Sequence, residues 1–322
     1  PRSTRVRSSA ASDVYKRQVR RLYFMTASMY LAAVRFCERC ERMPKRLKET
    51  MIRSDFHMHT AFSTDSEEAV ESMLNRAVER GLYSVCITDH MDADYPPDDE
   101  MGESAFRLDT ENYFPFLLKK KKEYEERIQV RIGIELGLQK HLGTRYETLI
   151  EKYPFDFVIG SMHLVCGEDP YTGKVFEELG DAQVYRRMFC ETLECIRKIK
   201  CFDVLGHLDY VVRYGKHQAE AYSYEKFSDE IDMILRELIS SGKGLELNMA
   251  GIKYGLGFAH PHPSVLRRYK ELGGEIITVG SDAHKAEHIG YEFEIAGELL
   301  KSCGFRYYTE FENRKAVFRR IP

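Results

Sequence analysis

The sequence predicts an α/β protein, a closed barrel of parallel strands wrapped by helices. Three observations support this. From Met51 onward, short apolar runs alternate seven times with longer amphipathic ones. The short runs are almost continuously apolar, as strands buried on both faces are. A polar side chain then stands at the end of each run. About 270 residues suit one βα barrel better than two open sheets.

The elements follow in order. RSDFHMH (53–59) is the first strand, and EEAVESMLNRAVERG (67–81) is a helix that stops at Gly81. YSVCIT (83–88) is the second strand. The acidic loop DADYPPDDEMGES comes next, then a Lys- and Glu-rich helix over 110–127. VRIGIE (130–135) is a strand, TRYETLIEKY a short helix and FDFVIGSMH (155–163) a strand leading into the turn-forming GEDPYTG. A long helix covers 181–199, and FDVLGH (202–207) is the fifth strand. The remaining pairs are a helix over 224–242 with the strand GLELN (244–248), and a helix over 263–274 with the strand EIITVGSD (275–282). A helix over 291–304 closes the pattern.

Composition narrows the function. No uncharged run is long enough to cross a membrane, and a net charge of −3 lacks the basic excess of a nucleic-acid binder. Eight scattered cysteines are too few for a disulfide scaffold and suit a reducing cytoplasm. Residues 1–50 differ: 13 Lys and Arg against 4 Asp and Glu give them +9 and leave −12 on the rest. They are expected to be a basic extension outside the fold, with 51–322 as the catalytic barrel. Cys37 and Cys40 have zinc-ligand spacing, but no second pair lies near them.

The strand ends carry the chemistry. In order they present His57 and His59, then Asp89 and His90, Glu135, His163, His207, Asn248, and finally Asp282 with His284. In a βα barrel all of these face one mouth, where active sites are built. His57 and His59 are two residues apart, so in a strand both rings point to one side. Singly, each residue has a structural explanation, such as Asp282 capping a helix. Together, clustered imidazoles and carboxylates are costly to bury without a cation. Asp65, in the loop after the first strand, joins them. Nitrogen and oxygen ligands without thiolate suit Zn, Mn or Fe. His57, His59, Asp65, His90, Glu135, His163, His207, Asp282 and His284 are enough for two or three divalent ions, with Glu135 and Asp282 as the bridging candidates. His141, His217, His260, His262 and His288 are expected in loops or on the surface. Such a centre remains positive after its carboxylates are counted, which suits a phosphate ester and an activated water.

The ordered set HMHTAFSTDS, TDH, GIE, GSMH, GH and GSDAH resembles the polymerase-and-histidinol-phosphatase (PHP) superfamily and spans nearly everything from Met51. GSMHLV, DVLGHLDYVVRYG, LELNMAGI and RYKELGGEIITVGSDAHKAEHIG resemble its histidinol-phosphatase branch. The resemblance implies a distorted, TIM-like (β/α)7 barrel with a metal centre at the C-terminal ends of the strands. It implies one ion on His57, His59, Glu135 and Asp282, a second on Asp65, His90 and His284, and a third on Glu135, His163 and His207. It also implies hydrolysis of L-histidinol phosphate to L-histidinol and phosphate, a late stage of histidine biosynthesis. Asp65 stands where some relatives carry histidine, and NMAGIK stands where the branch often shows NTSGLR.

Arg213, Lys253 and Asn248 are the candidate phosphate-binding residues, arginine being the better bidentate partner. Asp92, Asp98 and Asp99 could meet the amine of histidinol. Two other functions fit the same motifs. One is a PHP phosphoesterase acting on a nucleotide, a sugar phosphate or a DNA 3′ end. The other is a non-catalytic metal-binding regulatory barrel, against which the full ligand set argues.

Overall fold

The computed structural model describes residues 51–97 and 105–322. The basic stretch 1–50 with Cys37 and Cys40, and Asp98 and Asp99 of the acidic loop, lie outside the described residues. Eight parallel strands form one sheet: β1 (Ser54–Asp55), β2 (Ser84–Ile87), β3 (His90–Met91), β4 (Gln129–Gly137), β5 (Phe157–Ser161), β6 (Val204–Leu205), β7 (Gly244–Asn248) and β8 (Ile277–Gly280). Their order is β1-β2-β4-β5-β6-β7-β8, with β3 alongside the C-terminal half of β4. Chain order and sheet order therefore agree, as in a barrel wound by successive crossovers.

The sheet closes on itself between β8 and the chain that continues from β1. Phe56 N–H donates to Val279 C=O at 3.0 Å, Asp282 N–H to His57 C=O at 2.9 Å, and His59 N–H to Ala283 C=O at 2.8 Å. The expected first strand, 53–59, shrinks to two regular residues; beyond them Phe56, His57 and His59 bond across this seam, while Met58 C=O accepts the Thr88 N–H at 3.0 Å on the β2 side.

The covering helices are α1 (Val70–Glu79), α2 (Thr110–Glu123), α3 (Gly143–Lys152), α4 (Asp181–Lys198), α5 (Ser228–Ser240), α6 (Pro263–Glu271) and α7 (Phe293–Ser302). α1 buries Val70, Met73, Leu74 and Ala77, a single helical stripe, and ends before Gly81 in left-handed conformation. At the start of α2, Asp109 accepts the N–H of Asn112, and α6 begins with Pro263 in its first turn.

The C-terminus departs from expectation. α7 does not close the fold; an antiparallel hairpin of β9 (Tyr307–Glu312) and β10 (Lys315–Arg320) follows it. Its two-residue turn, Asn313-Arg314, has positive φ at both positions, as a tight hairpin requires. The hairpin sends Phe311 into the barrel interior. There Phe311 stacks on Phe157 at 5.0 Å and joins Phe56, Cys86, Ile159 and Val204 in one buried cluster. With this end filled by apolar groups, the polar side chains gather at the other.

Candidate metal centre

Every one of the nine expected ligands comes to the C-terminal mouth. His57 and His59 converge, Nε2 to Nε2, at 3.1 Å. Glu135, near the end of the long strand β4, lies at the centre. Its Oε2 is 3.2 Å from His57 Nε2, 3.4 Å from His59 Nε2 and 3.1 Å from His90 Nδ1. Its Oε1 is 2.9 Å from His207 Nε2 and 3.3 Å from His163 Nε2. Asp282 Oδ1 lies 3.5 Å from both His59 Nε2 and His284 Nδ1. Asp65 joins from its loop, 2.9 Å from His284 Nε2 and 3.6 Å from His90 Nε2. The rings of His90 and His284 stack on either side of His59, at 4.1 and 4.3 Å. All the imidazoles except His284 are buried.

Burial and charge set the protonation of this cluster. Burial alone would raise the carboxyl of Glu135, but His57, His90 and His163 around it hold it well below the usual range. Asp282 is held down in the same way, chiefly by His57. Burial, with His90 and His284 beside it, pushes His59 down to about 3, which keeps that ring neutral, the form that binds metal. Burial also opposes charge on His163, yet Asp92 and Glu135 together push it up to about 10, a proton that a cation held against Glu135 would displace.

The donor set fits divalent cations. Four overlapping groups each gather three ligand atoms within 4.8 Å: His59, His90 and His284; His57, His59 and Asp282; His57, Glu135 and His207; and His90, Asp92 and His163. Glu135 Oε2 and His90 Nδ1 are buried and make no well-formed hydrogen bond, though they face each other at 3.1 Å. Buried polar atoms left so are rare in folded proteins, and atoms aimed at a shared point suit a cation there.

A family model described as "PHP domain" matches residues 55–250. The chain belongs to the PHP domain family. It is 32% identical over 253 residues to a probable histidinol-phosphatase of Clostridium acetobutylicum, covering 78% of this chain and 94% of that protein. It is 30% identical to the histidinol-phosphatase of Lactococcus lactis, covering 82% of this chain and 96% of that protein. The solved structure of the Lactococcus lactis histidinol phosphate phosphatase, complexed with zinc, L-histidinol and phosphate, aligns with a TM-score of 0.75 at 29% identity. That alignment covers 83% of this chain and 99% of the other.

Beside this PHP centre the residues expected to grip phosphate separate. Arg213 lines the pocket, its guanidinium 4.4 Å from the Tyr210 and Tyr254 ring centres and 4.7 Å from that of Tyr214. Lys253 does not line the pocket; its Nζ donates to the Asp282 carbonyl at 3.0 Å, and burial pushes its pKa down. Asn248 is fully buried behind the site. Its side-chain amide donates to Glu246 Oε2 at 3.2 Å and Asp282 Oδ2 at 3.3 Å, so it holds carboxylates where phosphate contact was expected.

Asp89, which shares a strand end with His90, turns away and accepts from Thr60 and Ser63, tying down the loop that carries Asp65. His260 corrects another expectation. It is buried, with Nδ1 2.6 Å from Asp209, while His141 and His217 are exposed as expected.

Two carboxylates stand behind the ligands, in places the sequence pattern does not assign them. Glu246 Oε1 is 2.6 Å from His57 Nδ1, and its Oε2 accepts the His207 N–H at 2.9 Å. Asp92, expected to meet the amine of histidinol, is buried, with Oδ1 2.6 Å from His163 Nδ1. Each leaves the opposite ring nitrogen, Nε2, facing Glu135. Two glycines make room for them. A Cβ on Gly280 would run into Glu246 and His57, and one on Gly137 into Asp92. Sequence spacing held a signal for both: Glu246 is two residues before Asn248 in a strand, and Asp92 two residues after His90.

Proposed function

We propose that this chain is a metal-dependent phosphomonoesterase that hydrolyses L-histidinol phosphate to L-histidinol and inorganic phosphate, a reaction of histidine biosynthesis. One observation carries the reading: the pocket belongs to a barrel that aligns with a relative solved with zinc, L-histidinol and phosphate. The nine residues at the mouth are the proposed metal ligands, and Glu135, whose two oxygens face different histidines, would be the residue shared between ions. Divalent ions held there supply Lewis acidity toward the phosphoryl oxygens and lower the pKa of a water. The protein's own groups do the rest. Glu246 and Asp92 fix the tautomers of His57 and His163, so that Nε2 of each is free to ligate. Arg213, packed among tyrosines, offers its guanidinium to the phosphate dianion. The cavity of about 540 Å³ admits a small ester and is walled by Tyr95, Phe106, Tyr171, Tyr210 and Tyr254, flat faces for the organic part. We place the barrel at 51–322 and the protein in the cytoplasm, where its cysteines would remain thiols.

The test is phosphate release by zinc- or manganese-loaded protein from histidinol phosphate beside nucleotides, sugar phosphates and a 3′-phosphorylated oligonucleotide. The highest kcat/KM is expected for histidinol phosphate. A higher value for another ester overturns the substrate, and no turnover of any ester overturns the phosphatase.

A further inference from the structure

Among the described residues, five carboxylates line the pocket: Asp65, Asp92, Glu135, Asp169 and Asp282. Four of them lie within 4 Å of a histidine of the centre. Asp169 contacts no histidine and no cationic side chain among the described residues. It is half-buried, and its bonds come from two separate segments. The Tyr95 hydroxyl donates to Oδ2, and the Tyr171 N–H donates to Oδ1 at 2.8 Å. Tyr95 in turn packs on Phe106 at 4.7 Å, and Phe106 on His90 at 5.3 Å. Asp169 therefore stands on the pocket wall, set back from the metal centre by a layer of aromatic rings. Arg213 is the only Lys or Arg lining that pocket among the described residues.

We propose that Asp169 is the specificity residue for the alcohol half of the substrate, accepting N–H donors from a positively charged nitrogen. This deepens, and rests on, the reading of the pocket as a histidinol-phosphate site. Histidinol carries two nitrogen centres, a primary ammonium and an imidazole, and both present the same chemistry: a donor N–H with full or partial positive charge. A phosphate ester whose alcohol bears such a nitrogen has opposite charges at its two ends. The pocket answers with the proposed metal ligands and Arg213 for the phosphate, and, among the described residues, Asp169 is its one carboxylate with no histidine or cationic side chain against it. Both Asp169 oxygens are anchored by one protein donor each, which leaves a lone pair on each for the ligand. A neutral alcohol would displace water from the two remaining lone pairs and offer no donor in return, so Asp169 also selects against esters that lack nitrogen.

The experiment uses the full zinc-loaded chain and four esters: L-histidinol phosphate, 2-aminoethyl phosphate (amine only), 3-(imidazol-4-yl)propyl phosphate (ring only) and propyl phosphate (neither). In Asp169→Asn the histidinol-phosphate to propyl-phosphate ratio of kcat/KM is expected to fall roughly 10- to 100-fold, mainly through KM, the range for a lost charged hydrogen bond. The single-nitrogen ester whose advantage over propyl phosphate collapses identifies the nitrogen read. Tyr95→Phe, which keeps the ring and removes only the hydroxyl, is expected to shift the same ratio in the same direction by less. Equal losses on all four esters in both variants would mean that Asp169 only caps the short turn at 170–172, and would overturn the proposal. Wild-type preference for histidinol phosphate with an unchanged ratio in Asp169→Asn overturns Asp169 alone. A wild type indifferent to nitrogen overturns both this assignment and the substrate.

Discussion

His59 is sandwiched between the rings of His90 and His284 and reaches both Glu135 and Asp282 through one nitrogen. As a proposed ligand it sits where the carboxylates from the end of β4 and from just after β8 meet. His59→Ala is expected to lose bound zinc, read by elemental analysis, together with phosphate release; full activity with full metal content would remove His59 from the centre. Glu246 acts at one remove, through the tautomer of His57. Glu246→Gln keeps the shape but weakens the acceptor, and zinc affinity in a chelator competition is expected to fall roughly 10- to 100-fold. An unaltered affinity would make Glu246 a packing residue. The contrast shows what was legible at this scale. His59 was readable because an imidazole at a strand end is conspicuous in an apolar context. Glu246 sits one step inside GLELN, where a lone acid reads as an interruption of the strand. Only the closure of β8 against β1, which brings Gly280 beside His57, shows what it serves. Asn248 is hard to read for a related reason. Strand position says that a residue reaches the mouth, but not whether its amide is already occupied by neighbours.

Among the elements, the seven long alternations were legible because apolar strands and striped helices differ in period, 2 against 3.6. Three features were not. β3 is two residues long and exists only because it pairs with β4. β1 divides its bonds between two partners. The hairpin β9–β10 turns on Asn-Arg, which lacks the glycine that usually marks such turns. Outside the barrel wall, α5 and α6 are joined by a fork. Arg268 donates through Nε to Asp232 Oδ1 at 2.9 Å and through Nη2 to Oδ2 at 2.6 Å. That bond holds the Asp232 carboxyl below its ordinary value, with burial opposing. A carboxyl whose pKa is lower folded than unfolded adds stability at neutral pH, and this is lost as pH falls through the folded value. Arg268→Ala is therefore expected to lower the urea midpoint slightly at pH 7, since the pair is partly exposed. In urea titrations, wild type and variant should converge as the pH drops below about 4. A gap that stays constant down to the lowest pH would mean that Arg268 contributes by packing alone.

For the molecule as a whole, charge poses a problem that the fold resolves locally. The segment after residue 50 carries −12, yet its proposed substrate is a phosphate dianion. At physiological salt, fields are screened within about 8 Å, so distant surface acids would matter less to the ester than the proposed ions and Arg213. Stripping the ions with a chelator should therefore abolish phosphate-ester binding as well as turnover, and readdition of zinc should restore both. The same reasoning bears on residues 1–50, whose +9 offsets most of that charge. All strands of the sheet, the closing seam and every proposed ligand lie between residues 54 and 284. A chain beginning at Met51 is accordingly expected to keep kcat and its melting temperature, with KM at physiological salt within about twofold. If the extension instead helps to draw in the dianion, KM of the shortened chain will rise steeply as salt is lowered while kcat holds. If it belongs to the fold, the melting temperature will drop at every salt concentration, and the boundary at residue 51 is wrong.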